Sequence, residues 1–198
     1  MAVTQPAVLA DVWTERAEGA RSLARQVILV VGGAAFVGLS AQVAIPLPFT
    51  PVPLTLQTFA VLLAGAALGP WRGVLSMSLY AVAGVAGLPW FAEGSSGFAM
   101  PSFGYILGFI IAAGIVGRIA ESGATRTVWR TAGLMVIGNL VIYAVGVTWL
   151  KFAIDSTWLV ALELGVIPFL IGDLVKIALA AGLLPLAWTG LRKAGLLD

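Results

Sequence analysis

The sequence predicts an all-α integral membrane protein with six transmembrane helices. Three observations carry this. Hydrophobic residues make up 60% of the 198 residues, before 24 glycines are counted, and charged residues only 10%. A soluble domain has roughly 45–50% apolar residues with glycine included, and roughly 25% charged. The mean hydropathy is +1.03, more apolar surface than a chain of this length can hide from water, so the surrounding medium is lipid. Finally, the charges are not scattered. They bound long charge-free stretches, each able to cross a hydrocarbon core about 30 Å thick, which takes roughly 20 helical residues.

These stretches define the elements in order. Residues 26–71 are free of Asp, Glu, Lys and Arg, enough for two spans. The segment Ile45-Pro-Leu-Pro-Phe-Thr-Pro-Val-Pro53 divides them, because proline lacks an N–H and disfavours helix before itself. Spans 1 and 2 are predicted at 27–45 and 54–69. Stretches 73–92, 94–117 and 131–150 give spans 3, 4 and 5. Span 6 is predicted from Val166 to Leu191 and alone carries interior charges, Asp173 and Lys176. A transmembrane barrel is not expected, because its strands alternate with period 2 and runs such as Leu134-Met-Val-Ile do not. The expected organisation is a tail at 1–26, a six-helix domain at 27–191 and a short C-terminus at 192–198. Residues 8–25 read either as an interfacial helix, with Leu9, Val12 and Trp13 on one face and Arg16, Glu18 and Arg21 elsewhere, or as a frayed tail. Span 1 has 19 residues, longer than a signal-peptide core of about 7–15, so a retained first helix is expected.

Basic residues orient the chain. Arg16, Arg21, Arg25, Arg72, Arg118, Arg126, Arg130, Arg192 and Lys193 fall on one side, and Lys151 alone on the other. Both termini are therefore expected in the cytoplasm, in a multi-pass protein of the inner cell membrane.

The inventory excludes much chemistry. There are no cysteines and no histidines, hence no disulfide, no thiolate or imidazole metal site, and no Ser-His or Cys-His machinery. No metal, cofactor or nucleic acid is expected; the formal charge of +2 is too small for a polyanion-binding surface. There is no Walker A pattern, so ATP hydrolysis is not expected of this chain.

The information sits in the outer loops and in span 6. The 1–2 loop carries four prolines, and the 3–4 loop, 87–102, combines Gly, Pro and hydroxyls with Trp90, Phe91 and Phe98. Such a loop reads as a shaped lid over an apolar ligand, or as a plain interfacial loop. Asp173 and Lys176 are i,i+3 and share a helix face, about 8–12 Å below the outer end of span 6. Each costs roughly 2.5–3.5 kcal/mol at the centre of a span. They are either ligand groups or a mutual ion pair that locks the bundle. Asn139 and Tyr143, i,i+4 on span 5, either line the same cavity or bond between helices. Gln57, Thr55 and Tyr105 are further candidates. On span 1, Ala34 and Gly38 form a small-xxx-small step for close helix approach, within the chain or to another subunit.

Several motifs together resemble a known family. Ile45-Pro-Leu-Pro-Phe-Thr-Pro-Val-Pro-Leu-Thr-Leu-Gln-Thr58 is similar to the hallmark segment of BioY, the biotin-specific substrate-binding (S) component of energy-coupling-factor (ECF) transporters. Leu63-Ala-Gly-Ala-Ala-Leu-Gly-Pro70, Ser78-Leu-Tyr80, Gly84-Val-Ala-Gly-Leu-Pro-Trp-Phe91, Gly104-Tyr-Ile-Leu-Gly-Phe109 and Gly172-Asp-Leu-Val-Lys176 extend the likeness over about 30–190. The resemblance implies the S-component fold and biotin capture at the outer face. It also implies a transmembrane coupling subunit and two cytoplasmic ATPases as partners. It implies that Asp173 and Lys176 hold the ureido ring, and that Ala34 and Gly38 contact the coupling subunit, although the step here is Ala-x-x-x-Gly. Trp90 and Phe91 suit the apolar ring and alkyl chain. For the biotin carboxylate, Lys151, Ser95, Ser96 or glycine N–H groups are the candidates. The alternatives are an S-component for thiamine or riboflavin, an intramembrane enzyme using Asp173 and Lys176, and a purely structural bundle.

Overall fold

The computed structural model describes residues 6–14 and 19–197. Its helices are α1 (Asp11–Thr14), α2 (Gly19–Ala41), α3 (Gln57–Leu68), α4 (Pro70–Val85), α5 (Phe103–Ala120), α6 (Val128–Ala153), α7 (Trp158–Gly165) and α8 (Leu170–Lys193). The chain is thus mostly helical, as the apolar stretches predict. Among the described residues, four stretches are long and apolar enough to cross a membrane: α2, α5, α6 and Trp158–Lys193, which joins α7 to α8. Helices α3 and α4 are shorter, about 18 and 24 Å at 1.5 Å per residue, against a core of about 30 Å.

The central helix is α5, which packs on α3, α4 and α6. Glycines permit this closeness. A Cβ on Gly65 would lie 2.9 Å from the Ala113 backbone, and one on Gly108 would lie 3.1 Å from that of Ile142. Large apolar side chains point outward instead, Leu23, Ile28 and Leu39 on α2 and Ile171 and Leu174 on α8 among them. In water that surface would be unfavourable at about 25 cal/mol per Å²; in hydrocarbon it is the expected outer face.

Several predicted boundaries move. Arg72 was expected in a loop between spans 2 and 3. Instead α3 and α4 meet at Gly69, whose φ of 84° suits glycine, and Pro70 opens α4 as a first-turn proline. Arg72 lies in that first turn, 6% exposed. Its Nη1 donates to Asp11 Oδ1 at 2.8 Å and to the Leu68 carbonyl at 3.0 Å, and its Nε donates to Gln26. Asp11, the partner of Arg72, opens the short helix α1. Val8 is buried in the core, the Ala10 N–H donates to the Ala67 carbonyl, and Arg21 and Arg25 already belong to α2. Arg16 and Glu18 lie outside the described residues.

The proline-rich 1–2 connection holds a two-stranded antiparallel ribbon, β1 (Ala44–Ile45) paired with β2 (Leu54–Thr55). Its prolines fall outside the four paired residues, where a missing N–H does no harm. Span 6 begins later than predicted. Residues 158–165 form the separate helix α7, capped by Thr157 Oγ1, which accepts from the Val160 N–H. Pro168 sits in a short 3₁₀ turn before α8. The connections 42–56, 86–102 and 154–169 all contribute to one cavity between them.

Candidate functional site

The cavity encloses about 550 Å³, part of it open to solvent. Its polar wall comes from α3, α6 and α8, and its apolar wall from Phe91, Ile106, Phe109 and Phe169. The wall is mostly hydrocarbon, with a few convergent polar groups on one side.

Those polar groups form one network. Asp173 stands in the first turn of α8 and Lys176 one turn further, about 5 and 9 Å along the helix, shallower than the sequence predicts because α8 starts at Leu170. Their side chains are 6% and 10% exposed. Lys176 Nζ donates to Asp173 Oδ1 at 3.0 Å and to Thr58 Oγ1 at 2.9 Å. Thr58 Oγ1 lies 3.3 Å from Asp173 Oδ1, to which it donates, and the Tyr143 hydroxyl donates to Asp173 Oδ2. An isolated buried charge is strongly unfavourable; here each ion has the other and at least one hydroxyl. The ion-pair and ligand readings of the sequence are compatible in this geometry, because both charged groups also line the cavity. Tyr143→Phe should lower the stability of the ligand-free protein by about 1.5 kcal/mol, the loss of one hydrogen bond to a charged group. Thermal unfolding in detergent measures it.

Thr55, Gln57, Tyr105 and Phe91 line the same space. The Tyr105 hydroxyl donates to the Gly165 carbonyl at 2.7 Å, fixing its ring between α5 and α7. Gln57 Nε2 donates to the Tyr80 hydroxyl at 2.7 Å, and its Oε1 accepts from Thr55. Thr58 is a site residue that the sequence reading passed over. The available signal was its place beside Gln57 at the start of an otherwise apolar helix.

The 3–4 segment folds back over the helix ends. Phe91 is 0% exposed and stacks edge-on against Tyr80, with ring centroids 5.1 Å apart. Its ring fits only because residue 84 is glycine: a Cβ there would come within 2.0 Å. Gln42 Nε2 donates to the Trp90 and Phe91 carbonyls, and Trp149 Nε1 to that of Met100. Trp90 does not line the cavity. It turns away, packs against Gly38 and donates its Nε1–H to the Tyr80 carbonyl at 3.0 Å. Asn139 is also outside the main cavity, in a smaller hollow beneath it. Ala34 is 1% exposed and Gly38 is covered by Trp90. Both small residues are covered by neighbours within this chain. Lys151 sits over the Phe152 and Trp158 rings; neither it nor Ser95 nor Ser96 lines the cavity, whereas Ser102 does.

Comparison with known proteins follows the geometry. The family model described as BioY family matches residues 11–193. A probable biotin transporter BioY of Pyrococcus horikoshii is 40% identical over 160 residues, covering 79% of this chain and 92% of its own. The biotin transporter BioY of Thermotoga maritima is 36% identical over 140 residues, covering 69% and 81%. Among solved structures, the S-component for biotin from an ECF-type ABC transporter superposes with a TM-score of 0.76 at 25% identity, over 89% of this chain and 95% of that one.

Proposed function

The chain belongs to the BioY family, and from that premise we propose that it captures biotin in the cell membrane as the substrate-specific subunit of an ECF transporter. The family is one of transporter components, not enzymes. The observation that carries the reading is the Asp173–Lys176 pair on the polar wall of an otherwise apolar cavity. A cyclic urea presents N–H donors beside a carbonyl acceptor. The Asp173 carboxylate accepts from the first and the Lys176 ammonium donates to the second, both bonds charge-assisted. The thiophane ring and alkyl chain lie against Phe91, Phe109 and Ile106. The valerate carboxylate points toward the mouth, where Ser102 offers a hydroxyl. Thiamine and riboflavin are not favoured, since the named relatives are biotin transporters.

In this reading α2, α3, α4, α5, α6 and α8 make six crossings, the short α3 and α4 turning at Gly69. Both termini and the 121–127 loop face the cytoplasm, and the cavity opens outward. The basic residues support that orientation. A transmembrane coupling subunit and two ATPases complete the transporter. Single-cysteine variants test the topology: position 95 should be labelled from outside intact cells and position 122 only after permeabilisation. The reverse pattern contradicts the orientation. For the function, cells carrying the chain together with a coupling subunit and its ATPases should accumulate labelled biotin, with unlabelled biotin competing and thiamine and riboflavin not. Absence of uptake above the empty cell, or competition by the other vitamins, contradicts it.

A further inference from the structure

Asn139 is 7% exposed, and its Oδ1 has no hydrogen-bond partner among the described residues. Buried acceptors are almost always paired, so an orphan calls for a physical reason. Asn139 lies on α6 four residues before Tyr143, on the same helix face. With Lys176 and Thr58 it lines a small hollow whose remaining walls are apolar, Leu62 and Met135 among them. Lys176 and Thr58 line the main cavity as well. Lys176 and Thr58 thus stand between the hollow and the site.

Donors and acceptors in the network do not balance. The ammonium of Lys176 has three protons. One goes to Thr58 and one to Asp173, and the third has no assigned acceptor. Asp173 already accepts from Lys176, Thr58 and Tyr143, against about four lone-pair sites on a carboxylate. A ligand N–H that approaches Oδ1, already shared by Lys176 and Thr58, must displace one of them. Thr58 is short and Tyr143 carries a rigid ring, whereas the lysine stem is long and flexible. Lys176 is the donor able to leave, and Asn139 Oδ1 is the unpaired acceptor lining the space it shares with Thr58.

We propose that Asn139 is a positioning residue for the ligand site: when a ligand engages Asp173, the Lys176 ammonium shifts toward Asn139 Oδ1, which accepts the proton withdrawn from the carboxylate. The inference rests on the reading that the ligand binds between Asp173 and Lys176. It assigns Asn139 no ligand contact. Its amide acts through Lys176, holding the ammonium charged and aimed once Asp173 is occupied.

Titration calorimetry of the purified protein with biotin tests this. Asn139→Leu, close in size but without the acceptor, should bind about tenfold more weakly. Its ligand-free melting temperature should be unchanged or raised, because a buried orphan acceptor is gone. Asn139→Gln keeps the amide carbonyl and should hold affinity within about threefold. In a Lys176→Met background, Asn139→Leu should have no further effect on affinity, since the residue it acts through is absent. Wild-type affinity in Asn139→Leu overturns the proposal. So does an equal loss with and without Lys176, which marks a packing effect. If Asn139→Leu does not fold, the Asn139→Gln titration decides in its place: a tenfold loss there overturns the proposal. A wild-type chain that binds no biotin overturns the functional reading and this inference together; wild-type binding with an unaffected Asn139→Leu overturns the inference alone.

Discussion

Asp173→Asn protein should fold and bind biotin about 10- to 150-fold more weakly than the wild type, and Lys176→Met protein likewise. Hydrogen bonds to charged groups contribute roughly 1.5–3 kcal/mol each, which converts to that range of affinity. Asp173→Asn keeps the shape of the side chain but loses the charge-assisted acceptor. It also leaves Lys176 without a counter-charge, with only neutral acceptors such as Thr58 around it. Lys176→Met removes the donor and leaves Asp173 with the hydroxyls of Thr58 and Tyr143. The double variant should lose less than the sum, because the two side chains lie 3.0 Å apart in one network. Its stability should survive, since replacing both partners of a buried pair is often neutral. Unchanged affinity in folded Asp173→Asn would make the pair purely structural.

Phe91→Ala should lower stability by about 3–5 kcal/mol, the usual loss for truncating a fully buried aromatic. The ring fills the space between Tyr80 and Gly84 and closes one side of the cavity, so biotin should also dissociate faster. Gly84→Ala attacks the same contact from the other side. Its Cβ would fall 2.0 Å from the Phe91 ring, and forced overpacking of this kind costs about 1–3 kcal/mol. Combining the two changes should destabilise less than their sum, because the alanine then enters space the ring has vacated. Thermal unfolding of the four proteins in one detergent measures the coupling. Strict additivity would mean that Phe91 does not rest on Gly84, and that the 3–4 segment is not pinned there.

What the sequence discloses follows from how unfavourable each feature is. A charge inside a span is so costly that Asp173 and Lys176 stand out without any structure, and both reach the cavity. Tyr143 is legible as an isolated polar tip on an apolar helix. Thr58 carries no charge, and a threonine within an apolar helix commonly satisfies itself on its own backbone, so its place beside Gln57 is a weak signal. Trp90 and Phe91 look alike in sequence, yet adjacent side chains diverge, and here one seals the cavity while the other packs behind it. Asn139 shares a face with Tyr143, but one helical turn, about 5.4 Å, separates lining the main cavity from lying beneath it. The small residues Ala34 and Gly38 give no sign of which neighbour they serve; Trp90, some fifty residues on, claims Gly38. Arg72 was misread because its partner Asp11 is distant in the chain, and local charge alone reads as loop. The break before α7 was readable, since Thr157 is a helix cap of ordinary kind, but the apolar run of span 6 masked it.

The proposed biotin site is the apolar cavity with Asp173 and Lys176 on its wall. Titration calorimetry of the purified chain with biotin, thiamine and riboflavin tests it most directly. Saturable one-site heat with biotin, none with the other two at the same concentrations, and the weakened isotherm of Asp173→Asn are the predicted results. No heat with biotin, or tighter binding of thiamine or riboflavin, would contradict it.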